Sequence, residues 1–285
     1  MAAQMTIATI GTGVMAGSML AGLFAGGRVR PEQVIASDPR AERRAELEAE
    51  LGIRTTAENA AAASGADVVV LAIKPQHLAE VGRDLAPVLG PEQLVISILA
   101  GPTTRALGAA LGHRAIVRAM PNTPAQIGRG ITVWYATPDV RPAQRETAAL
   151  LLGALGEQVE VHDEKLVAMS TAVSGSGPAY LFLVMEAMVD AAVHLGFPRH
   201  VAQRLVVETL EGSAAFAKAS GHHPAQLRDR VTSPGGTTAA ALHALEAGRL
   251  RTVLSDAIWA AYRRTDELGR KLEAETTGDD TPAGR

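Results

Sequence analysis

The chain has 285 residues, 47% of them hydrophobic and 20% charged, with a formal net charge of -3. That length and apolar content support sizeable cores in one large or two ordinary domains, and the mixed charge gives no electrostatic reason to expect a nucleic acid or an anionic membrane as partner. The absence of cysteine excludes disulfides, thiolate nucleophiles and cysteine-based zinc sites, so a cytoplasmic location is expected, and no stretch reads as a signal peptide or a membrane span.

Through about residue 160, short apolar runs alternate with amphipathic stretches, the pattern of strands joined by crossover helices in a mostly parallel sheet. Strands are expected at 6–10, 33–36, 67–73, 94–98, 115–119, 131–136 and 158–161. Directly after the first of these, Gly11, Gly13 and Ala16 form G-x-G-x-x-A at the head of a helix expected over 15–25. The glycines permit a tight turn and a close approach of pyrophosphate to the backbone, while the helix start supplies free N–H groups and partial positive charge. Read alone, such a triplet is an ordinary strand-to-helix turn; its place in a βαβ unit is what points to a dinucleotide.

At the end of the second expected strand, Ser37-Asp38-Pro39-Arg40 occupies the place where this class of site reads the adenosine ribose. Asp38 suits a free 2′-hydroxyl and NADH, whereas Ser37 and Arg40, with Arg43 or Arg44 nearby, suit a 2′-phosphate. NADPH is the expected cofactor and NADH the alternative. Ala72-Ile73-Lys74-Pro75 and Ser97-Ile98-Leu99-Ala100-Gly101 close two further strands at their carboxyl ends, where open α/β sheets bind ligands.

From Asp163 onward helical periodicity takes over. Leu181, Val184, Met185, Met188, Ala192 and Leu195 recur at spacings of three and four and make one apolar face, with Pro178 suited to the first turn and Gly196 to the position after the last. Helices are also expected at 201–216, 236–247 and 249–268, and the polar residues 276–285 read as a disordered tail. The expected division is a dinucleotide-binding Rossmann domain over 1–162 and an all-α domain over 163–275. Several apolar helices in so small a domain cannot all be buried internally, which predicts a homodimer or a larger assembly built from dimers.

Three further segments stand out: Arg118-Ala119-Met120-Pro121-Asn122-Thr123-Pro124-Ala125, Ser174-Gly175-Ser176-Gly177-Pro178-Ala179-Tyr180, and Ser233-Pro234-Gly235-Gly236-Thr237-Thr238, with His223-Pro224, Leu227 and Asp229 just before the last. Ser174 to Gly177 could bind an anion or form a close packing turn, and Pro121 to Pro124 could be a rigid turn. Together with the glycine fingerprint, these segments resemble the pyrroline-5-carboxylate reductase family over about residues 5–270. Val14 stands where members of that family often carry Asn, and His222 where Glu or Gln is common.

The resemblance implies a Rossmann domain followed by an all-helical dimerisation domain. It also implies NADPH or NADH as donor and L-proline as product of the cyclic imine. It places the cofactor against Gly11, Thr12, Gly13, Val14, Met15, Ser37, Asn59, Ala72, Lys74, Pro75 and Ala100, to which the reading of the residues adds Arg40. It places the substrate at Ser233, Gly235, Gly236, Thr237 and Thr238.

The chemistry suits these residues. Reduction of a protonated ring imine requires mainly positioning, and a Thr hydroxyl can both accept from and donate to the nitrogen as its charge disappears, which identifies Thr238 as the expected catalytic residue. Backbone N–H groups at the start of the following helix suit the carboxylate; without the resemblance, the same segment reads as a flexible loop with Thr as helix cap. No histidine pattern suggests a metal. Two other functions compete with this one: a β-hydroxyacid dehydrogenase or related imine reductase, with Lys165 or Lys218 as the candidate catalytic lysine of the hydroxyacid type, and a non-catalytic NADP-sensing regulator.

Overall fold

A computed structural model describes residues 5–277. Its strands are β1 (Ile7–Ile10), β2 (Val34–Ser37), β3 (Arg54–Thr56), β4 (Val68–Leu71), β5 (Leu94–Ser97), β6 (Ile116–Met120), β7 (Gly130–Ala136) and β8 (Gly156–Glu160). The helices are α1 (Val14–Ala25), α2 (Ala41–Leu51), α3 (Asn59–Ala63), α4 (Leu78–Leu85), α5 (Thr104–Leu111), α6 (Pro142–Leu152), α7 (Lys165–Ser170), α8 (Gly177–His194), α9 (Arg199–Ser220), α10 (Pro224–Arg230), α11 (Thr237–Ala247) and α12 (Leu250–Thr277). Residues 276 and 277 continue α12; the rest of the tail expected over 276–285 lies outside the described residues.

The chain forms two compact units, one running to Ser176 and resuming at Ala261, the other Gly177–Ala260. In the first, the strands lie in the order β3-β2-β1-β4-β5-β6-β7-β8. The six strands β1 to β6 are parallel and in the order of a Rossmann sheet, with the chain reversing direction across the sheet between β1 and β4. β7 runs antiparallel to β6, because the short turn at Thr123–Ile127 leaves no length for a crossover helix, and β8 returns parallel to β7 after α6.

Alternation sorts the strand residues onto two cores. Ile7, Val68, Val70, Leu94 and Ile96 join Met19, Leu20 and Leu23 of α1 on one face of the sheet. Ala8, Ile10, Val69, Leu71 and Val95 join Leu78, Val81 and Leu107 on the other. Burial on both faces is why these strands read as continuous apolar runs. The three-residue β3, Arg54–Thr56, was not expected: as an edge strand it needs no apolar run, and its residues are exposed or half-buried.

In the second unit, Val189 of α8 is buried with Ala202 and Val206 of α9, and Met185, Ala192, Val193 and Leu210 pack around them. Of the apolar face expected on α8, Met185 and Ala192 serve this core, whereas Leu181, Met188 and Leu195 are exposed, as are Phe182 and Leu183. Periodicity marks an apolar helix; it does not say which part of the face meets the same chain.

Candidate active site

The carboxyl end of the parallel sheet carries the residues expected to bind the cofactor. Gly11 continues the β1 ladder, donating its N–H to Ser37 O at 2.9 Å, while Ala72 N–H donates to Ile10 O at 2.8 Å. Gly11 has a φ of +85°, and a Cβ there would lie 2.8 Å from Ala72 O, so both the turn and the packing require glycine. Gly13 is the extended residue preceding α1; it has no side-chain cap, and the first turn contains no acid. The first amides of a 12-residue helix are therefore open to an anion beside the exposed Lys74, which precedes the turn Pro75–His77. Val14 is exposed at the helix start and Met15 is partly buried against the core. This donor set fits a dinucleotide pyrophosphate.

The end of β2 carries the residues with conflicting signals. Asp38 is 4% exposed. Its Oδ2 accepts from Thr12 Oγ1 at 2.5 Å and Arg40 Nη2 at 3.0 Å, and its Oδ1 accepts from the N–H and Nε of Arg40 at 3.0 and 2.9 Å. Burial alone would raise the Asp38 pKa, but the hydrogen bonds from Arg40 and Thr12 outweigh it and hold the carboxyl well below the usual range. Arg43 donates to Thr12 O at 3.1 Å and pairs with Glu46, and Arg44 donates to the carbonyls of Asp38 and Pro39 at 2.8 and 3.1 Å.

Ser37, expected to touch the ribose phosphate, is fully buried as the last residue of β2. Its hydroxyl donates to Asn59 Oδ1 at 2.8 Å, and Asn59 Nδ2 donates to Asp84 at 3.0 Å. Of the two residues expected to read a phosphate there, Arg40 alone is exposed. The Thr12–Asp38 bond was not foreseen, since nothing in the spacing of 12 and 38 announces it.

The remaining segments of the first unit pack together. Asn122 Nδ2 donates to Ser174 O at 3.1 Å, and Asn122 Oδ1 accepts from Ile131 N at 2.9 Å. Thr171–Gly175 forms a π-turn running from α7 towards α8, with Ser176 N–H donating to Thr171 O at 2.7 Å. Gly175 lies so close to Met120 that a Cβ would meet its terminal methyl at 2.9 Å. Of the two readings of Ser174 to Gly177, packing turn and anion site, the structure supports the turn. Ala100 is exposed three residues after the end of β5, at the same carboxyl end.

In the second unit, Ser233 to Thr238 leads into α11. Gly235 has a φ of +69°, and Gly236 N–H donates to Ser233 O at 3.1 Å. A Cβ on Gly236 would meet Ser233 Oγ, which would have to rotate away. Gly236 is the residue preceding the helix and provides no side-chain cap; Thr237 and Thr238 lie in the first turn, so neither is the cap that the alternative reading required. Among the described residues the Thr238 hydroxyl has no hydrogen-bond partner. His223 caps α10, its Nδ1 accepting from Ala225 N–H at 3.2 Å, and so has a structural task.

The lysines weighed for hydroxyacid chemistry sit elsewhere: Lys165 opens α7 with its N–H on Asp163, and Lys218 lies in the last turn of α9. A Rossmann sheet with an open anion site at its first helix, joined to a helical unit, defines a nicotinamide-dependent oxidoreductase. Residues 164–268 match the family described as pyrroline-5-carboxylate reductase dimerisation, and residues 6–101 match the NADP oxidoreductase, coenzyme F420-dependent, family.

The chain is 47% identical to a pyrroline-5-carboxylate reductase of Pseudomonas aeruginosa over 93% of its own length and 97% of the relative's. It is 44% identical to one of Synechocystis over 92% and 97%. Its fold is similar to the solved pyrroline-5-carboxylate reductase of Coxiella burnetii, with a TM-score of 0.87, 38% identity and coverage of 93% and 98%. The corresponding values for the Plasmodium falciparum enzyme, solved with NADP bound, are 0.84, 28%, 93% and 98%. The chain belongs to the pyrroline-5-carboxylate reductase family.

Proposed function

We propose that the chain reduces 1-pyrroline-5-carboxylate to L-proline, the last step of proline synthesis, with NADPH as preferred donor and NADH as the alternative. Beside the family membership, one observation carries the reading: α11 begins without a cap directly after Ser233 to Gly236, with the Thr238 hydroxyl in its first turn. Uncapped amides there suit a carboxylate, and the hydroxyl suits a ring nitrogen.

The nicotinamide, when bound, supplies the hydride that reduces the imine carbon. Thr238 hydrogen-bonds the ring nitrogen as its charge disappears, and the amides of Thr237 and Thr238 orient the carboxylate, with Ser233, Gly235 and Gly236 shaping the turn before them. The Gly11 to Met15 segment holds the pyrophosphate at the start of α1, with Ala72, Lys74, Pro75 and Ala100 along the same edge. Arg40 reads the 2′-phosphate, supported by Arg43 and Arg44; Ser37 and Asn59 act beneath them by fixing the end of β2. Asp38 favours the phosphorylated cofactor because all its hydrogen bonds are already directed to Thr12 and Arg40, leaving a free 2′-hydroxyl to compete for them.

The exposed apolar residues of α8 pair with a second copy of the chain, and larger assemblies are built from such dimers. The stretch Lys165–His194 is long and apolar enough to cross a membrane by length and composition, but it lies in the segment matching the dimerisation family. The cysteine-free composition suits the cytoplasm.

Mixing purified protein with NADPH and pyrroline-5-carboxylate and following nicotinamide absorbance tests the reading. Oxidation of NADPH with formation of proline is expected; no turnover with either nicotinamide cofactor would reject it.

A further inference from the structure

The first unit contains an ion pair, between a buried arginine and a partly exposed glutamate, that none of the steps above uses. Arg118 of β6 is 4% exposed, and its Nη1 donates to Glu164 Oε1 at 2.8 Å. The same Oε1 accepts from Thr104 N–H at 2.7 Å, and Oε2 accepts from the Thr104 hydroxyl at 2.7 Å. Arg118 Nη2 donates to Gly101 O at 3.3 Å. The carboxylate thus collects three donors, and the guanidinium reaches both it and the turn that follows β5.

That turn is closely fitted. Gly101 has a φ of +109°, and a Cβ would stand 3.1 Å from Leu272 Cδ1. A Cβ on Gly269, three residues earlier on the same helix α12, would stand 3.2 Å from Gly101 O. Thr103 caps α5 by accepting from Ala106 N–H at 3.1 Å. Ala100, one residue before the held carbonyl, is exposed at the carboxyl end of β5. If β2 reads the adenosine ribose, the nicotinamide half of the cofactor extends across β1 towards β4 and β5, and therefore towards Ala100.

This pair links β6 to the residue before α7 and adds little as a stabiliser, because taking the guanidinium out of water offsets most of its attraction to the partly exposed carboxylate. Its geometry is specific instead: planar guanidinium to carboxylate, carboxylate to both donors of one threonine. We infer that Arg118 and Glu164 are positioning residues, a brace that fixes the Ala100–Gly101 turn and through it the nicotinamide end of the cofactor site. The inference rests on the cofactor reading given above.

Three variants test it, with NADPH affinity measured by fluorescence titration of the purified protein, thermal midpoint by calorimetry and amide exchange at Thr104. Glu164→Ala leaves Arg118 buried without its partner, so both midpoint and affinity should fall. Arg118→Met combined with Glu164→Ala removes both charges, and should recover most of the midpoint while NADPH affinity stays about tenfold or more below the parent and Thr104 exchanges faster. Thr104→Val keeps the fold and the backbone donor and should lose about threefold in affinity.

Rescue of the midpoint without rescue of affinity is the signature of positioning. Affinity within twofold of the parent in the double variant would overturn the brace and leave the cofactor reading intact; if the double variant does not fold, unchanged affinity in Thr104→Val overturns it. No NADPH binding by the parent itself would overturn the cofactor reading and the brace together.

Discussion

Thr12 of the glycine-rich turn donates its hydroxyl to the buried carboxylate of Asp38 at 2.5 Å, and Arg40 closes the other side of the same carboxylate with three donors. The turn after β1 and the end of β2 are thereby fixed to each other. Asp38, which from its position alone suits a ribose hydroxyl, is a framework residue, and the exposed cation beside it is Arg40.

Removing that cation should act on both cofactors. Arg40→Ala deletes the proposed reader of the 2′-phosphate and frees hydrogen-bonding capacity on Asp38 for a 2′-hydroxyl, so the ratio of kcat/KM for NADPH over NADH should fall at least about tenfold. An unchanged ratio would reject Arg40 as the phosphate reader.

The depressed pKa of Asp38 has a stability consequence with a definite sign. The folded state binds this proton more weakly than the unfolded chain, whose aspartates titrate near pH 4, so the ionised side chain stabilises the fold above that pH. The contribution is lost as pH falls from about 4 through the lower folded value. Asp38→Asn should therefore lower the thermal midpoint by a few degrees at pH 7, with the difference from the parent shrinking below about pH 4. A difference that is constant from pH 7 to 3 would mean that the charge is immaterial.

The apolar side chains displayed by α8 predict association. Phe182 and Leu183 are 58% and 67% exposed in the single chain, more than large apolar residues need be unless a second surface covers them. Light scattering at micromolar concentration should give a dimer or a multiple of it. Leu183→Glu should raise the dissociation constant by at least about tenfold by placing a charge in an apolar contact. A stable, active monomer of the parent would refute the assignment.

Which of these features can be read without coordinates follows from their physics. The central strands are legible because burial on both faces writes continuous apolar runs, α1 because the glycine fingerprint marks its start, and α8 because periodicity and end residues agree. The edge strand Arg54–Thr56 has no such run. The reversal of β7 follows from a connection too short for a helix, but only once both strand ends are known. At the site, Gly11, Gly13 and the Ser233 to Thr238 segment are local motifs whose conformation their own residues dictate. The Thr12 to Asp38 bond and the Arg118 to Glu164 pair join residues 26 and 46 apart through the packing of whole elements, and no spacing rule reaches them.

The reductase account depends most on the hydroxyl at the start of α11, and Thr238→Ala tests it directly. The substitution removes the hydroxyl while keeping the backbone amides and a residue suited to the first helical turn. A hydrogen bond to a charged nitrogen contributes about 1.5 to 3 kcal/mol, so kcat/KM for the imine should fall roughly ten- to a hundredfold while NADPH affinity is retained. If the bond strengthens as the iminium becomes an amine, the loss will appear in kcat; if it is equal in both states, it will appear in KM. A Thr238→Ala enzyme whose kcat/KM stays within about twofold of the parent would contradict the account and leave Thr238 as an ordinary first-turn residue.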